Sequence, residues 1–273
     1  MTQNIKLEDI YKKDTVILVG KDYIPDGELH LRNLIFQIFQ NPTDHLDVDY
    51  YMLAEAVFWS IGELINNANK ANNRWAILEN MLFQRITKEN PDKDQEKIKE
   101  DIQEAIEFSQ SDILKKYGLD NIDLTNTILN LIEKYKTNSF ALSEKFNKKI
   151  VVTLKIQKKN EVEYFIVNVL NNCPITVIDK ERVEYNLNKI KEDLINANKN
   201  PFEATLHLYQ KEADTLGGGF GAGLRSIILF LRSGFEPFDV DIIYTKLLQY
   251  RSASKNTIFS LEIPIPRFKK KSL

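Results

Sequence analysis

The spacing of apolar residues along the chain changes from helical to extended near residue 149. From residue 49 to 72, and again from 76 to 147, apolar residues recur three or four positions apart, which indicates helices. The segments KIVVTLKIQ and EYFIVNVL that follow are rich in β-branched residues, and the KKNE between them suits a hairpin turn. A run of helices next to an antiparallel strand pair predicts the α+β class.

The most regular helical pattern lies between about residues 49 and 72. Its apolar positions form a single stripe of Leu53, Val57, Ile61, Leu64, Ala68 and Ala71. Helical spacing continues in AILENMLFQRI, QEKIKEDIQEAIEF and TNTILNLIEKY. We therefore expect residues 76–147 to form a largely helical insertion.

Further strands and helices are expected at both ends of the chain. Near the start, DTVILVG predicts a short strand and GELHLRNLIFQIF a helix. Later segments predict three helices, RVEYNLNKIKEDLINA, PFEATLHLYQKEA and LRSIILFLRSG, and two final strands, DVDIIYT and NTIFSLEIPIP. We divide the chain into a strand-and-helix region, residues 1–47, and residues 48–273, which contain the insertion.

Composition excludes several classes of protein. The net charge of −2 comes from nearly equal numbers of acids and bases and provides no basic surface for nucleic acid. No apolar run reaches the roughly 18 residues that span a bilayer, and the first residues lack a secretory pattern, so we expect a cytoplasmic protein without membrane insertion. Cys173 is the only cysteine, which excludes an intrachain disulfide and a thiolate metal cluster.

Five of the ten glycines fall between residues 217 and 223, immediately before an apolar segment. Glycines let a backbone approach a ligand closely, and the N-terminus of the helix that follows favours an anion. A Walker loop is excluded because Leu224 stands where lysine is required, and a dinucleotide fingerprint lacks its preceding strand. A third pattern, GxGxGL, fits Gly219, Gly221, Gly223 and Leu224. The alternative is a flexible surface loop.

A second constellation lies on the helix predicted between residues 49 and 72. Glu63, Asn67 and Lys70 are spaced by four and three, so their side chains fall within one narrow sector of the helix. An amide oxygen can ligate Mg²⁺, a carboxylate can orient or deprotonate an attacking group, and an ammonium can contact phosphate oxygens. Taken alone, the same spacing also occurs on solvated helices.

Three segments in order, ELINNANKA, GGGFGAGL and NTIFSLEIPIP, resemble the GHKL superfamily of sensor histidine kinases, anti-sigma kinases, type II topoisomerases, mismatch-repair ATPases and heat-shock chaperones. The resemblance implies a two-layer α/β sandwich with a mixed, mostly antiparallel sheet that binds ATP and Mg²⁺. It implies that Glu63 is the general base, Asn67 the Mg²⁺ ligand and Lys70 a phosphate contact. It also implies that the phosphates lie against the glycine box of Gly217, Gly219, Gly221, Gly223 and Leu224.

The adenine-binding box departs from the family pattern. The family has DxGxG at the end of a hairpin strand, where the aspartate accepts a hydrogen bond from the adenine amino group. The corresponding stretch is VLNNCPI, so Asn171 stands at the aspartate and Cys173 at the first glycine. An asparagine oxygen can still accept from adenine, and we expect Cys173 to be a small buried hydrophobic residue.

The resemblance leaves the destination of the phosphate open. His30 lies 37 residues before Asn67, too close for the dimerisation hairpin of a sensor kinase, so we expect the acceptor to be a partner protein or water. The segment from Thr176 to Leu216 would form a lid over the nucleotide, and a homodimer is compatible with the sequence. We expect a kinase or ATPase in signalling or regulation. The alternative is a nucleotide-binding or degenerate interaction module of the same fold.

Overall fold

In the computed structural model the chain combines helices with one antiparallel sheet, which confirms the α+β class. The structure describes residues 10, 15–19, 26–40, 48–108, 110, 112–119, 123–124, 126–127, 147–196, 220–238, 247–253 and 256–266. The strands are β1 (Thr15–Val19), β2 (Ile150–Lys159), β3 (Val162–Asn171), β4 (Leu248–Ala253) and β5 (Asn256–Pro264). The helices are α1 (Asp26–Phe39), α2 (Val48–Glu89), α3 (Gln95–Phe108), α4 (Asp112–Lys115), α5 (Val177–Asn196) and α6 (Phe220–Phe235).

The sheet has the strand order β1-β2-β3-β5-β4. Every pair among the described strands is antiparallel, whereas the resemblance implied a mixed sheet. The turn between β2 and β3 consists of Asn160 and Glu161, whose φ angles are 48° and 66°. Positive φ at both central residues is the type I′ arrangement, whose twist matches that of the flanking strands. The hairpin predicted around KKNE is therefore confirmed.

One face of the sheet packs against a helical layer. The buried positions alternate along the strands, as on β2, where they are Ile150, Val152, Leu154 and Ile156. Paired residues of β3 and β5 continue this face and share one apolar cluster with α1, α2 and α6. At the end of this face, where Asn171 of β3 pairs with Thr257 of β5, the buried residues change from apolar to polar.

Helix α2 is longer than the sequence indicated, because it continues from residue 72 to Glu89. The asparagine-rich segment after Lys70 lowers helix propensity, but it contains neither proline nor glycine, and the apolar stripe resumes at Trp75. This second half of α2 packs with α3, the predicted QEKIKEDIQEAIEF helix, in a second apolar cluster. Most of TNTILNLIEKY lies outside the described residues, and the division at residues 47 and 76–147 remains a prediction.

Helix α5 begins five residues before the predicted segment, because Thr176 caps it. The Thr176 hydroxyl accepts a hydrogen bond from the Asp179 backbone N–H at 3.1 Å and donates to its carboxylate at 3.1 Å, a local N-terminal cap. Strand β4 was not predicted. The segments DVDIIYT and PFEATLHLYQKEA lie outside the described residues. None of the described helices is long and apolar enough to cross a membrane.

Helix α6 packs along α2 in the antiparallel direction. A Cβ added at Gly234, near the end of α6, would lie 3.0 Å from Cβ of Ala56 and 3.1 Å from Cα of Leu53. Because α2 begins at Val48, only an antiparallel α6 keeps its remaining buried residues beside α2. Leu224 is ten residues before Gly234, or about 15 Å along the helix axis. The start of α6 therefore lies beside the part of α2 that carries Glu63.

Two glycines test this packing with the same substitution. We expect Gly234→Ala to lower the free energy of unfolding by about 1–3 kcal/mol, because the new methyl group meets the backbone of α2. We expect Gly62→Ala to raise it by about 0.5–1 kcal/mol, since nothing lies within 4 Å of its added Cβ. Urea unfolding followed by circular dichroism measures both values. Stabilisation by both substitutions would contradict the close contact between α6 and α2.

Candidate functional site

The polar sector of α2 lies at the boundary between the helical layer and solvent. Glu63 is half-buried, Asn67 is buried with 2% of its surface exposed, and Lys70 is exposed. The three residues occupy one side of the helix, as their spacing predicts. The sector therefore presents one buried amide between two more accessible charged groups.

Asn67 is the most unusual residue of this sector. Within the described part of the chain, neither its Oδ1 nor its Nδ2 has a hydrogen-bond partner, although both atoms are buried. Leaving one buried polar group unsatisfied costs about 1–3 kcal/mol, and natural structures contain few such groups. A ligand that supplies partners for this amide would remove the cost.

Glu63 and Lys70 also have no ion-pair partner among the described residues. Two other charged residues of α2 are paired: Glu55 accepts from Arg32 of α1, and Arg74 lies 2.9 Å from Asp179 of α5. The carboxylate and the ammonium that flank Asn67 are thus available to a ligand. Because their charges are opposite, the sector can contact both a cation and an anion.

Helix α6 carries the last residues of the glycine box. Gly221 and Gly223 lie in the first turn of this helix, and Leu224 is fully buried against the core. The first N–H groups of a helix have no acceptor within the helix, and its dipole favours an anion there. Gly217 and Gly219 lie outside the described residues. From the antiparallel packing of α6 on α2, the second half of the box lies beside the part of α2 that carries Glu63.

Asn171 is buried at the end of β3, with 5% of its surface exposed. Its Oδ1 accepts a hydrogen bond from the backbone N–H of Cys173 at 3.3 Å. The neighbouring Thr257 donates its hydroxyl to the backbone carbonyl of Cys173 at 3.0 Å. The sequence did not single out Thr257, because its proximity to Asn171 follows from the register of β5.

Cys173 is fully buried in the second apolar cluster, as predicted for a small hydrophobic residue. Burial raises the pKa of its thiol to about 12, although the nearby Lys148 ammonium acts in the opposite direction. The thiol therefore stays protonated at neutral pH. A protonated, buried thiol is a poor nucleophile, so Cys173 has a packing role.

A buried ion pair lies beside Cys173 and was not predicted. Nζ of Lys148 is 2.9 Å from Oε2 of Glu79, and both side chains are less than one-tenth exposed. Gln103 donates to the other carboxylate oxygen of Glu79 at 3.1 Å, and the Lys148 ammonium lies 5.5 Å from the centroid of the Trp75 ring. Glu79 stands among the apolar positions of the stripe on α2, and a charged residue at such a position indicates a buried partner.

Asn72 is a second buried amide on α2. Its Oδ1 has no hydrogen-bond partner in the described part of the chain, and 3% of the residue is exposed. Asn72 precedes Glu79 by seven residues, about two helical turns, so both lie on the same side of α2. Nothing in the sequence distinguishes Asn72 from the neighbouring Asn69 and Asn73, which are only partly buried.

The first part of the predicted lid is attached to the rest of the protein. Helix α5 is held by the Arg74–Asp179 ion pair and by the Tyr250 hydroxyl, which donates to Glu184 at 2.6 Å. Burial and the Glu184 carboxylate raise the pKa of Tyr250, so the hydroxyl keeps its proton. The remaining lid segment, residues 197–216, lies outside the described residues.

The described residues contain no group of three or more histidine, cysteine, aspartate and glutamate side chains that could hold a metal ion. Mg²⁺ is often held by one or two protein oxygens together with phosphate oxygens and water. Asn67 Oδ1, which is buried and has no hydrogen-bond partner in the described ranges of the chain, fits that role.

Comparison of the chain with models of protein families, with curated proteins and with solved structures finds no match.

Proposed function

We propose that the protein binds a nucleoside triphosphate together with Mg²⁺ and transfers the γ-phosphate to a partner protein or to water. The observation that carries the proposal is the buried amide of Asn67. It has no hydrogen-bond partner among the described residues and lies on the side of α2 that also bears Glu63 and Lys70. The start of α6, which carries the end of the glycine box, lies beside the same part of α2. A metal ligand and an anion-binding backbone are thus close together.

Each residue has a distinct role in this proposal. Asn67 Oδ1 ligates Mg²⁺, which neutralises charge on the phosphates. Glu63 orients or deprotonates the attacking group, and Lys70 contacts phosphate oxygens. The N–H groups of the glycine box surround the phosphates, and Asn171 faces the base. The resemblance to the GHKL superfamily implies ATP as the nucleotide and a histidine-kinase-like sandwich as the fold.

The accepting group belongs to another molecule. The proposed role is in signalling or regulation, the absence of a secretory pattern favours the cytoplasm, and a homodimer is compatible with the sequence. The departures at Asn171 and Cys173 favour a second candidate, a module of the same fold that binds the nucleotide without hydrolysing it. The Glu63 carboxylate is half-buried and has no ion-pair partner among the residues that the structure describes. This favours catalysis, because a binding module has no need of a general base.

Binding and turnover distinguish the two candidates. We expect fluorescent N-methylanthraniloyl derivatives of ATP and GTP to bind saturably, and more tightly when Mg²⁺ is present. We expect Glu63→Gln to retain binding and to lower phosphate release by about 100-fold or more, because general base catalysis contributes 10²–10⁴-fold. Equilibrium titration and a phosphate-release assay measure these quantities.

The matched control is Glu104→Gln, which makes the same change at an exposed position of α3 and should leave both quantities unchanged. Absence of binding of either nucleotide would refute the proposal. Tight binding without phosphate release from either the native protein or Glu63→Gln would leave only the non-catalytic module.

A further inference from the structure

The first half of α2 carries an apolar face that is turned away from the core. Four large apolar side chains on it have about half or more of their surfaces exposed: Val48 (70%), Tyr51 (48%), Met52 (54%) and Trp59 (56%). Together with Glu55 and Gly62 they fall within a sector of the helix about 100° wide. Every residue between Glu55 and Trp59 is buried, so these six residues form a separate outer face of α2.

The apolar area of the outer face is about what a stable dimer needs. A fully buried aromatic side chain removes about 150–250 Å² from water, so two half-exposed rings and two exposed aliphatic side chains leave on the order of 400 Å² accessible. Leu29, one turn before Arg32 on α1, adds to this area with 58% of its surface exposed. A standard interface buries about 800 Å² on each partner, and roughly 65% of a homodimer interface is apolar.

The charge on the outer face is already compensated. Glu55 lies in the middle of the face, and Arg32 of α1 donates two hydrogen bonds to its Oε1. An anionic lipid surface attracts unpaired lysine and arginine side chains, and none is among the six residues of the face. A neutral, apolar face therefore fits a neutral, apolar partner.

Gly62 is the position of the outer face that has no side chain. A glycine inside a helix is destabilising relative to alanine. Nothing lies within 4 Å of a Cβ added at Gly62, so packing within the described part of the chain does not require glycine there. The missing side chain does, however, let another backbone or a bulky side chain approach α2 closely.

We propose that the outer face of α2 is a dimer interface, in which α2 of a second copy lies antiparallel against it with the twofold axis at residue 55. Tyr51 and Trp59 are each four positions from Glu55, and Val48 and Gly62 are each seven. An isologous antiparallel pairing brings equally spaced positions together. Tyr51 then packs against Trp59 of the second copy, and Val48 packs over Gly62 of the second copy.

This pairing also accounts for the charged residue at the axis. Glu55 of each copy meets Glu55 of the other, and two unpaired carboxylates in that position would repel each other. Each carboxylate accepts hydrogen bonds from Arg32 of its own copy, which offsets the repulsion. The inference does not depend on the proposed function, because none of these residues has a role in nucleotide binding.

Sedimentation equilibrium of the full chain at several concentrations measures the dissociation constant of the dimer. We expect the native protein to dimerise. We expect Tyr51→Ser to raise the dissociation constant by about 10-fold or more, because aromatic residues near the centre of an interface contribute much of the binding energy. Tyr185→Ser is the matched control, since it makes the same change at a tyrosine of α5 that is 58% exposed, and it should leave the constant unchanged.

Gly62→Ala separates association from folding. We expect it to raise the dissociation constant by about 10-fold, because the added methyl group meets Val48 of the second copy. The same substitution should stabilise the single chain, which urea unfolding measures at a protein concentration below the dissociation constant. A variant that merely folds badly does not combine weaker association with higher stability.

Disulfide formation between two variants tests the antiparallel register. Tyr51→Cys and Trp59→Cys are mixed and oxidised with copper phenanthroline, and we expect more covalent dimer from the mixture than from either variant alone. The native Cys173 does not interfere, because it is buried and its thiol stays protonated. A mixture of Tyr51→Cys and Tyr185→Cys is the control and should give no additional covalent dimer.

Each outcome bears on a separate part of the inference. A native protein that stays monomeric at every concentration overturns it and leaves the outer face to a different molecule. A dimer whose dissociation constant changes with neither Tyr51→Ser nor Gly62→Ala overturns the outer face as the interface. A mixture that gives no more covalent dimer than the single variants overturns the antiparallel register.

Discussion

Replacing Asn67 by leucine is expected to raise the stability of the protein and, at the same time, to weaken Mg²⁺-dependent nucleotide binding. The substitution removes two buried polar atoms that lack partners among the described residues. Leucine has a similar size and no polar atoms, so we expect the free energy of unfolding to rise by about 1–3 kcal/mol. The loss of a metal ligand should weaken Mg²⁺-dependent binding by about 100-fold, or about 2.8 kcal/mol.

The combination of the two effects distinguishes a functional residue from a structural one. Urea unfolding gives the stability, and titration with labelled nucleotide in the presence and absence of Mg²⁺ gives the affinity. Asn66→Leu is the control, since Asn66 is exposed one position earlier on α2 and should change neither quantity by a large amount. A destabilised Asn67→Leu protein would contradict the assignment, because it would mean that the amide makes favourable contacts within the protein.

Breaking the buried Glu79–Lys148 pair is expected to have the largest effect on stability. Lys148→Met leaves the Glu79 carboxylate buried without its cation, and removal of one partner of such a pair costs about 3–5 kcal/mol. The double variant Glu79→Leu/Lys148→Met removes both charges, and we expect it to recover most of the loss. Urea unfolding of the native protein, of Lys148→Met, of Glu79→Leu and of the double variant gives the coupling energy between the two residues.

An exposed ion pair provides the comparison. Lys158 lies 2.7 Å from Glu161 at the β2–β3 turn, with side-chain exposures of 58% and 90%. We expect Lys158→Met to cost less than about 1 kcal/mol, because solvent screens such a pair. Equal losses in the free energy of unfolding for Lys148→Met and Lys158→Met would show that burial does not determine how much the Glu79–Lys148 pair contributes. A double variant no more stable than Lys148→Met would show the same.

The periodicity of the sequence was sufficient to predict the main elements of the fold. The helices before and after residue 49, the β2–β3 hairpin and β5 all follow from the spacing of apolar residues. The helix over AILENMLFQRI was predicted, but its continuity with the helix before residue 72 was missed. Packing of Trp75 and the residues after it outweighs the low helix propensity of the asparagines. Strand β4 was missed because LQYRSA has little apolar alternation and gains its order from pairing with β5.

The candidate site was only partly accessible from the sequence. Spacing places Glu63, Asn67 and Lys70 on one side of a helix, but it does not reveal that Asn67 is buried and Lys70 exposed. The position of Asn171 follows from the hairpin pattern, whereas the direction of its amide depends on a hydrogen bond to Cys173. The role of Thr257 depends on the register of β5, which alternation along one strand cannot specify.

Helix α2 is one uninterrupted rod of 42 residues, about 63 Å long. Its first half is embedded between α6 and the sheet, and its second half extends into the other apolar cluster. Because the helix is continuous, a tilt of its second half also displaces Asn67 in the first half. The displacement of Asn67 is smaller than that of the second half, which lies farther from the core. A molecule that binds α3 and the end of α2 would therefore shift Asn67, the proposed metal ligand, without contacting it.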